Sequence, residues 1–439
     1  MQESNHLRIE SILQNLMWTE CIDNFGECGV KIISLTDIAY ELRNLYEPRL
    51  SESLPYVGLE HIQPYTLNLS GLGDSTDAKS TKKRFRRNDI LFGTLRPYFR
   101  KVVRAKHDGV CSTDISVIRA KDSIDTGFIF YLIASQPFID YATATASGTR
   151  MPRAKWSILN QMDWDIPPQE TRAKIASILS AYDDLIENNA RRIKILEDMA
   201  ATIYRKWFVE FRFPGHENVP MVNSELGSIP NGWEVHTLGD VTSVITKGTT
   251  PTSLGKQFTE EGVNFIKVQS IDEQGGILEN KLAKIDGETH TMLKRSQLQE
   301  SDILFSIAGA IGRVAAVTKR LLPANTNQAV AIVRPSGSLL ATYLYQTLRS
   351  ADFLKYSLER VVQTAQANVS LSVLSSAPVA IPMSEVLDDF SAHLTPIVRL
   401  VDALREKNQN LRQTRDLLVP KLISGEIDVS ELDIDTDET

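Results

Sequence analysis

Two stretches of the chain place mostly apolar residues at alternating steps of 4 and 3. In the first these are Ile175, Leu179, Tyr182, Ile186, Asn189, Ile193, Leu196, Ala200, Ile203 and Trp207. In the second they are Phe390, Leu394, Ile397, Val401, Leu404, Asn408, Leu411, Arg415, Leu418 and Leu422. A run this long exceeds the apolar stripe of one helix lying on a globular body and reads as a coiled-coil seam. It predicts long helices over residues 169–208 and from residue 385 to 418 or beyond. Pro396 and Pro420 each remove an N–H, so the second helix is expected to kink or end near them. Ahead of each stretch, short β-rich runs (Val102-Val103, residues 115–118, 314–317 and 329–333) are punctuated by Gly, Pro, Asn and Asp.

The same grammar occurs twice because the chain repeats itself. Asp89-Ile90-Leu91-Phe92 recurs as Asp302-Ile303-Leu304-Phe305, at an offset of 213, and Arg100 matches Arg313 at that offset. Leu35-Thr36-Asp37-Ile38 resembles Leu238-Gly239-Asp240-Val241 at 203, and Tyr56-Val57 resembles Phe265-Ile266 at 209. Ser157-Ile158-Leu159 matches Ser372-Val373-Leu374, and Ile166-Pro167 matches Ile381-Pro382, both at 215. A common order with a slowly growing offset is the mark of two copies of one fold that differ by loop insertions. The expected fold class is α+β: two β-rich domains separated by two long antiparallel helices, with a pseudo-twofold internal repeat. Its divisions are an extension over residues 1–29, domain one over 30–167, helix one over 168–212, a Pro/Gly-rich linker over 213–231, domain two over 232–383, helix two over 384–425 and an acidic tail over 426–439.

Each helix carries one Asn in its seam, Asn189 and Asn408. A lone polar layer is a recognised way to fix register. In an antiparallel pair the numbers of facing residues sum to a constant, which the two Asn set at 597. That register sets Ile193 opposite Leu404, Ile186 opposite Leu411, Leu179 opposite Leu418 and Trp207 opposite Phe390. Arg415 falls opposite Tyr182, whose ring is expected to take the guanidinium by stacking. Helices of about 39 residues span about 58 Å and would act as a spacer.

Composition changes this picture in two respects. The net charge of −7 is uneven: residues 424–439 hold seven acidic residues and no basic ones, whereas residues 79–106 hold eleven Lys/Arg against one acid, Asp89. The average therefore hides a basic patch and a solvated acidic tail. Cys21, Cys28 and Cys111 form no CxxC, which excludes a disulfide framework and fits a cytoplasmic protein. No apolar run long enough for a membrane span and no secretory signal is expected.

The segment Ile229-Pro-Asn-Gly-Trp-Glu-Val-His-Thr-Leu-Gly-Asp240, followed by Lys247-Gly-Thr-Thr-Pro251, resembles the opening of the second target recognition domain in the specificity (S) subunits of type I restriction-modification systems. Tyr204-Arg-Lys-Trp-Phe-Val-Glu-Phe211 is similar to the end of that family's first conserved helix. Residues 411–427 look like its C-terminal conserved region. The first copy departs at its start, where no Ile-Pro-x-Gly-Trp precedes Lys31. The resemblance implies a phage-defence subunit with two domains, each reading one half of a split target in double-stranded DNA. The helices would dock two methyltransferase (M) subunits, and motor-nuclease (R) subunits would complete the enzyme. No cofactor is expected on this chain; S-adenosylmethionine, ATP and Mg2+ would belong to the partners.

The residues agree with a non-catalytic reading. No Asn/Asp-Pro-Pro-Tyr/Phe motif occurs, Lys247-Gly248-Thr249-Thr250 lacks the spacing of a phosphate loop, and the histidines form no metal-binding spacing. The DNA-contact candidates in copy one are Lys82, Lys83, Arg84, Arg86, Arg87, Arg96, Arg100 and Arg104, with Arg150 and Arg153 on a second loop. Copy two offers Lys247, Lys256 and Arg313, with Gln363, Gln366 and Asn368 at the place matching that loop. Lys and Arg neutralise phosphates, Arg forks onto guanine, and Gln and Asn suit adenine. Two rivals stand beside this reading: a fused restriction-methyltransferase enzyme, and a coiled-coil scaffold with no DNA role.

Overall fold

A computed structural model describes residues 31–361, 367–434 and 436. Gln363 and Gln366 lie outside the described residues, as does the extension at 1–29. Two β-rich regions are linked by two long helices that pack together. The chain divides into two compact units, one formed by residues up to Asn189 with those from Glu406 onward, the other by Ala190–Arg405. The boundary cuts both long helices, so each unit owns half of the helix pair.

In the first unit, a four-stranded antiparallel sheet runs in the order Ala39–Leu42, Ile115–Ala120, Ile90–Gly93, Val102–Arg104. Ile90–Gly93 is buried at every position, as a central strand covered on both faces must be. A second sheet contains the parallel pair Pro55–Val57 and Gly109–Cys111. Lys31–Ser34 pairs with Asp163–Ile166 and closes the domain just before the first long helix. The helix Thr126–Ala134 is almost wholly apolar and buried. It approaches the long helix so closely that a Cβ on Gly127 would lie 2.7 Å from the Ala176 Cβ. Glycine is required there by contact.

The second unit repeats this plan. Its four-stranded sheet runs Thr242–Lys247, Val330–Pro335, Ile303–Ser306, Val314–Ala316. Val263–Ile266 lies parallel to Ala324–Thr326, as Pro55–Val57 does to Gly109–Cys111. Glu234–Thr237 pairs with Pro378–Ile381. Even single interactions recur. Arg119 forks onto Asp89 at 2.6 and 2.8 Å, and Arg334 forks onto Asp302 at the same distances. Both carboxylates are buried. In each unit, the carboxylate also accepts a backbone N–H at 2.7 Å, from Arg86 or from Gln299.

The first long helix covers Gln169–Tyr204 and continues as a π-turn over Arg205–Val209. The second covers Ser384–Ile423. It runs through Pro396, where the sequence predicts an end or kink, and stops three residues after Pro420. In the first unit, Asn189 Nδ2 donates to Asn408 Oδ1 at 2.9 Å, and Asn408 Nδ2 donates to the Ile186 carbonyl at 3.0 Å. In the second unit, Ile193, Val401 and Leu404 share one cluster, and the rings of Trp207 and Phe390 stand 5.8 Å apart. The expected stacking of Arg415 on Tyr182 is corrected. The fully buried Arg415 guanidinium pairs with Asp183 and, at 3.1 Å, with Asp416. Carboxylates compensate a buried cation better than a ring face does.

The Pro/Gly-rich linker contains a hairpin, Met221–Ser224 with Gly227–Pro230, turned at Glu225-Leu226 and followed by Gly227 with φ of 91°. The acidic tail is not simply solvated. Its carboxylate residues Glu426, Asp428, Glu431 and Asp433 are exposed, but Val429 is fully buried, and Ile427, Leu432 and Ile434 pack on the first unit's core. Lys174 Nζ donates to the Ser430 carbonyl at 2.7 Å. Apolar residues between the acids give the tail one face to bury, which a charge count overlooks.

Candidate nucleic-acid interface

The basic run of the first unit divides once it folds. Lys82 is buried and donates to the Ser80 carbonyl at 2.7 Å. Lys83 donates to the Ile115 carbonyl at 2.9 Å and lies 3.6 Å from Glu41. Arg84 pairs with Glu52 at 3.1 Å and covers the Tyr46 ring at 4.4 Å. Arg104 is half-buried. Arg100 turns inward to Asp416 at 3.4 Å, with its side chain 11% exposed, and burial pulls its pKa below the usual arginine range. Arg86, Arg87, Arg96 and Arg150 remain exposed.

Position in the strand Lys82–Phe85 accounts for part of this division, since its end residues Lys82 and Phe85 are buried while Arg86 and Arg87 lie beyond it and are exposed. The remainder comes from a corner built by two distant segments. A turn over Pro97–Phe99 is flanked by Arg96 and Arg100, both left-handed with φ of 53° and 47°. Such conformations cost a non-glycine residue free energy, so the surroundings must hold them. Arg96 N donates to the Pro152 carbonyl at 2.8 Å, and its Nη2 reaches the Arg150 carbonyl at 3.5 Å. Leu95 bridges to Arg153, and Arg153 Nε reaches Asp114 Oδ1 at 3.0 Å. The corner thus gathers Arg96, Arg150 and Arg153 beside Tyr98 and Met151, which are 41% and 48% exposed.

The second unit makes the same corner. Ala308 bridges to Asn368, the positions that match Leu95 and Arg153 at offsets of 213 and 215. Its chemistry differs, because small residues and Asn stand where the first unit has arginines. Lys247 ends its strand half-buried. Gly248 follows, where a Cβ would fall 1.9 Å from the Thr326 carbonyl. Beside it, Arg295 Nη2 donates to Thr249 Oγ1 at 3.3 Å, and Thr250 bonds Gln328. Lys256 is paired with Glu288 at 2.9 Å. Arg313 donates to the Ile271 carbonyl at 2.9 Å and lies 3.5 Å from Glu273. Arg295, Gln328 and Tyr98 are not legible in the sequence as members of these corners. Arg295 and Gln328 are 46 and 78 residues from their hydroxyl partners, and no local spacing connects them.

A family model described as the type I restriction modification DNA specificity domain matches residues 34–198 and 230–413, one match for each copy. The chain belongs to this family. Members are the non-catalytic DNA-recognition components of type I restriction-modification complexes, which bind bipartite DNA and associate with modification and restriction subunits. The chain is 28% identical over 322 residues to the type I restriction enzyme MjaIX specificity subunit of Methanocaldococcus jannaschii, covering 71% of each. It is 25% identical over 411 residues to the HindI specificity subunit of Haemophilus influenzae, covering 79% of this chain and 88% of that one. Among solved structures, the S subunit of a type-I restriction-modification system from M. genitalium aligns with a TM-score of 0.52 at 15% identity, over 92% of this chain and 98% of that one, which shows a shared fold. No helix among the described residues is long and apolar enough to cross a membrane.

Proposed function

We propose that each unit of this specificity subunit reads one half of a split target in double-stranded DNA through its corner. The observation that carries the reading is the repeated bridge, Leu95 to Arg153 and Ala308 to Asn368. The same backbone frame presents different side chains in the two copies. That is the arrangement expected of two readers with different half-sites.

In the first unit, Arg86, Arg87, Arg96, Arg150 and Arg153 are the contacts to DNA. Exposed guanidinium groups neutralise phosphates and fork onto guanine O6 and N7. Lys82 and Lys83 are held against the sheet by their own carbonyl partners, and Arg84 is paired with Glu52. In the second unit, Lys247 and Asn368, joined by Gln363 and Gln366, read a less charged surface, where amides suit adenine. Two methyltransferase subunits dock along the long helices, one per copy, and the motor-nuclease subunits join through them. The complex works in the cytoplasm. S-adenosylmethionine, ATP and Mg2+ are used by the partners.

The test is a domain exchange. Replacing residues 31–166 by the matching domain of another specificity subunit, in cells with the partner subunits, should change one half of the methylated target and leave the other intact. Methylation mapped across the genome reads the outcome. Simultaneous change of both halves would overturn independent readout.

A further inference from the structure

Each unit ties its corner to its own half of the long-helix pair, through a chain of buried or half-buried ion pairs in the first and through a loop held by arginines in the second. In the first unit, Arg100 directly follows the corner turn. Its Nη2 reaches Asp416 Oδ1 at 3.4 Å, and Asp416 also takes Arg415 at 3.1 Å. Arg415 is fully buried and pairs with Asp183 of the other helix, whose second oxygen accepts Tyr131 O–H at 2.7 Å. Burial alone would lower the Arg415 pKa, yet Asp183 and Asp416 together raise it. The cation is therefore fixed.

In the second unit, Arg313 stands at the position of Arg100 and holds the loop over residues 271–277 by the Ile271 carbonyl and Glu273. The helices hold that loop from the other side. Arg405 Nη2 reaches the Gln274 carbonyl at 3.3 Å and Glu197 Oε1 at 2.6 Å. Arg349 Nη2 donates to the same Gln274 carbonyl at 3.0 Å. Gly275 sits in the loop with φ of 83°, where a Cβ would fall 2.5 Å from the Tyr345 hydroxyl. The partners differ from those of the first unit, but the path from corner arginine to helix pair is present in both.

We infer that Arg100 and Arg313 are positioning residues, Arg100 held directly by Asp416 and Arg313 through the loop that Arg405 and Arg349 hold beside Glu197, and that these struts set the geometry with which each corner reads its half-site. The inference rests on the proposed reading of one half-site per unit. It assigns Arg100, one of the basic run, a role away from phosphate. In the first unit the physical ground is the strained turn; in the second, glycines take the left-handed positions and the loop contact alone carries the role. A left-handed Arg96 and Arg100 need an outside anchor, and readout by paired hydrogen bonds fails when donor and acceptor shift by a fraction of a bond length. Phosphate attraction is long-ranged and tolerates such a shift.

The experiment uses the full chain with its methyltransferase partner and duplexes bearing the genome-mapped target, with neither half, one half or both halves randomised. Asp416→Ala should lower discrimination at the first half by about tenfold, within the range of one mismatched base pair. It should leave the second half and the affinity for fully randomised DNA unchanged. Glu197→Ala should do the converse. Arg100→Met should leave the slope of log affinity against log salt unchanged, whereas removing a phosphate-neutralising cation flattens it by about 0.9. If Asp416→Ala does not fold, Asp416→Asn is read in the same way, and Asp416→Glu should recover most of the discrimination. Unchanged discrimination in a folded Asp416→Ala protein, or a flattened slope in Arg100→Met, overturns the strut while leaving the half-site reading standing. A wild-type protein whose discrimination does not separate by halves overturns both.

Discussion

Asn189 and Asn408 face each other across the helix pair with Nδ2 and Oδ1 2.9 Å apart, both side chains buried. The second amide also satisfies the Ile186 carbonyl. Removing one partner leaves a buried polar group unpaired, which costs about 1–3 kcal/mol. Asn408→Ala should therefore lower the denaturation midpoint of the first unit more than the double change Asn189→Leu with Asn408→Leu. A double variant less stable than the single one would show that the amides contribute more than mutual satisfaction.

Asp302 is wholly buried beneath Arg334, as Asp89 is beneath Arg119. Asp302→Ala strands a guanidinium and the Gln299 N–H. The arginine keeps 22% side-chain exposure, so the loss should lie near the lower end for a broken buried pair, about 3 kcal/mol. Thermal unfolding followed by limited proteolysis should show the second unit weakened and the first retained. Asp89→Ala should give the reverse.

Arg86 and Arg87 are exposed, and Lys82 is buried. Changing both arginines to Ala should flatten the log-affinity against log-salt slope by about 0.9 for each phosphate that is no longer neutralised. Lys82→Met should leave the slope unchanged and alter only stability. Fluorescence anisotropy at several salt concentrations distinguishes the two.

Burial pushes the Cys111 thiol up to about 12 from 9.0, with Asp89 adding to the shift and Lys83 opposing it. The folded protein keeps a proton that the unfolded chain loses, so this group's contribution is complete below pH 9 and is lost as pH rises towards 12. In a protein carrying Cys21→Ser and Cys28→Ser, Cys111 should resist alkylation at about pH 8 until the first unit unfolds. Rapid native labelling detected by mass spectrometry would contradict this environment.

The helix pair and the duplication are legible in the sequence because both are periodic. Apolar residues stepping by 4 and 3 define a face within one segment, and two equally placed Asn leave one antiparallel register that pairs them. The offset of 213 that links Asp89 to Asp302 also leads to two strands with the same neighbours and the same arginine fork. Tertiary structure decided the fate of each charge. Lys82, Arg86 and Arg100 look alike in a basic run, yet one lies inside a sheet, one faces solvent and one meets an aspartate 316 residues away. A side chain's alternation or spacing is a local property, whereas its burial and ion-pair partner depend on which distant segment packs against it. The acidic tail shows the same limit: its charge is plain in composition, but the core surface that receives Val429 exists only after the first unit has folded.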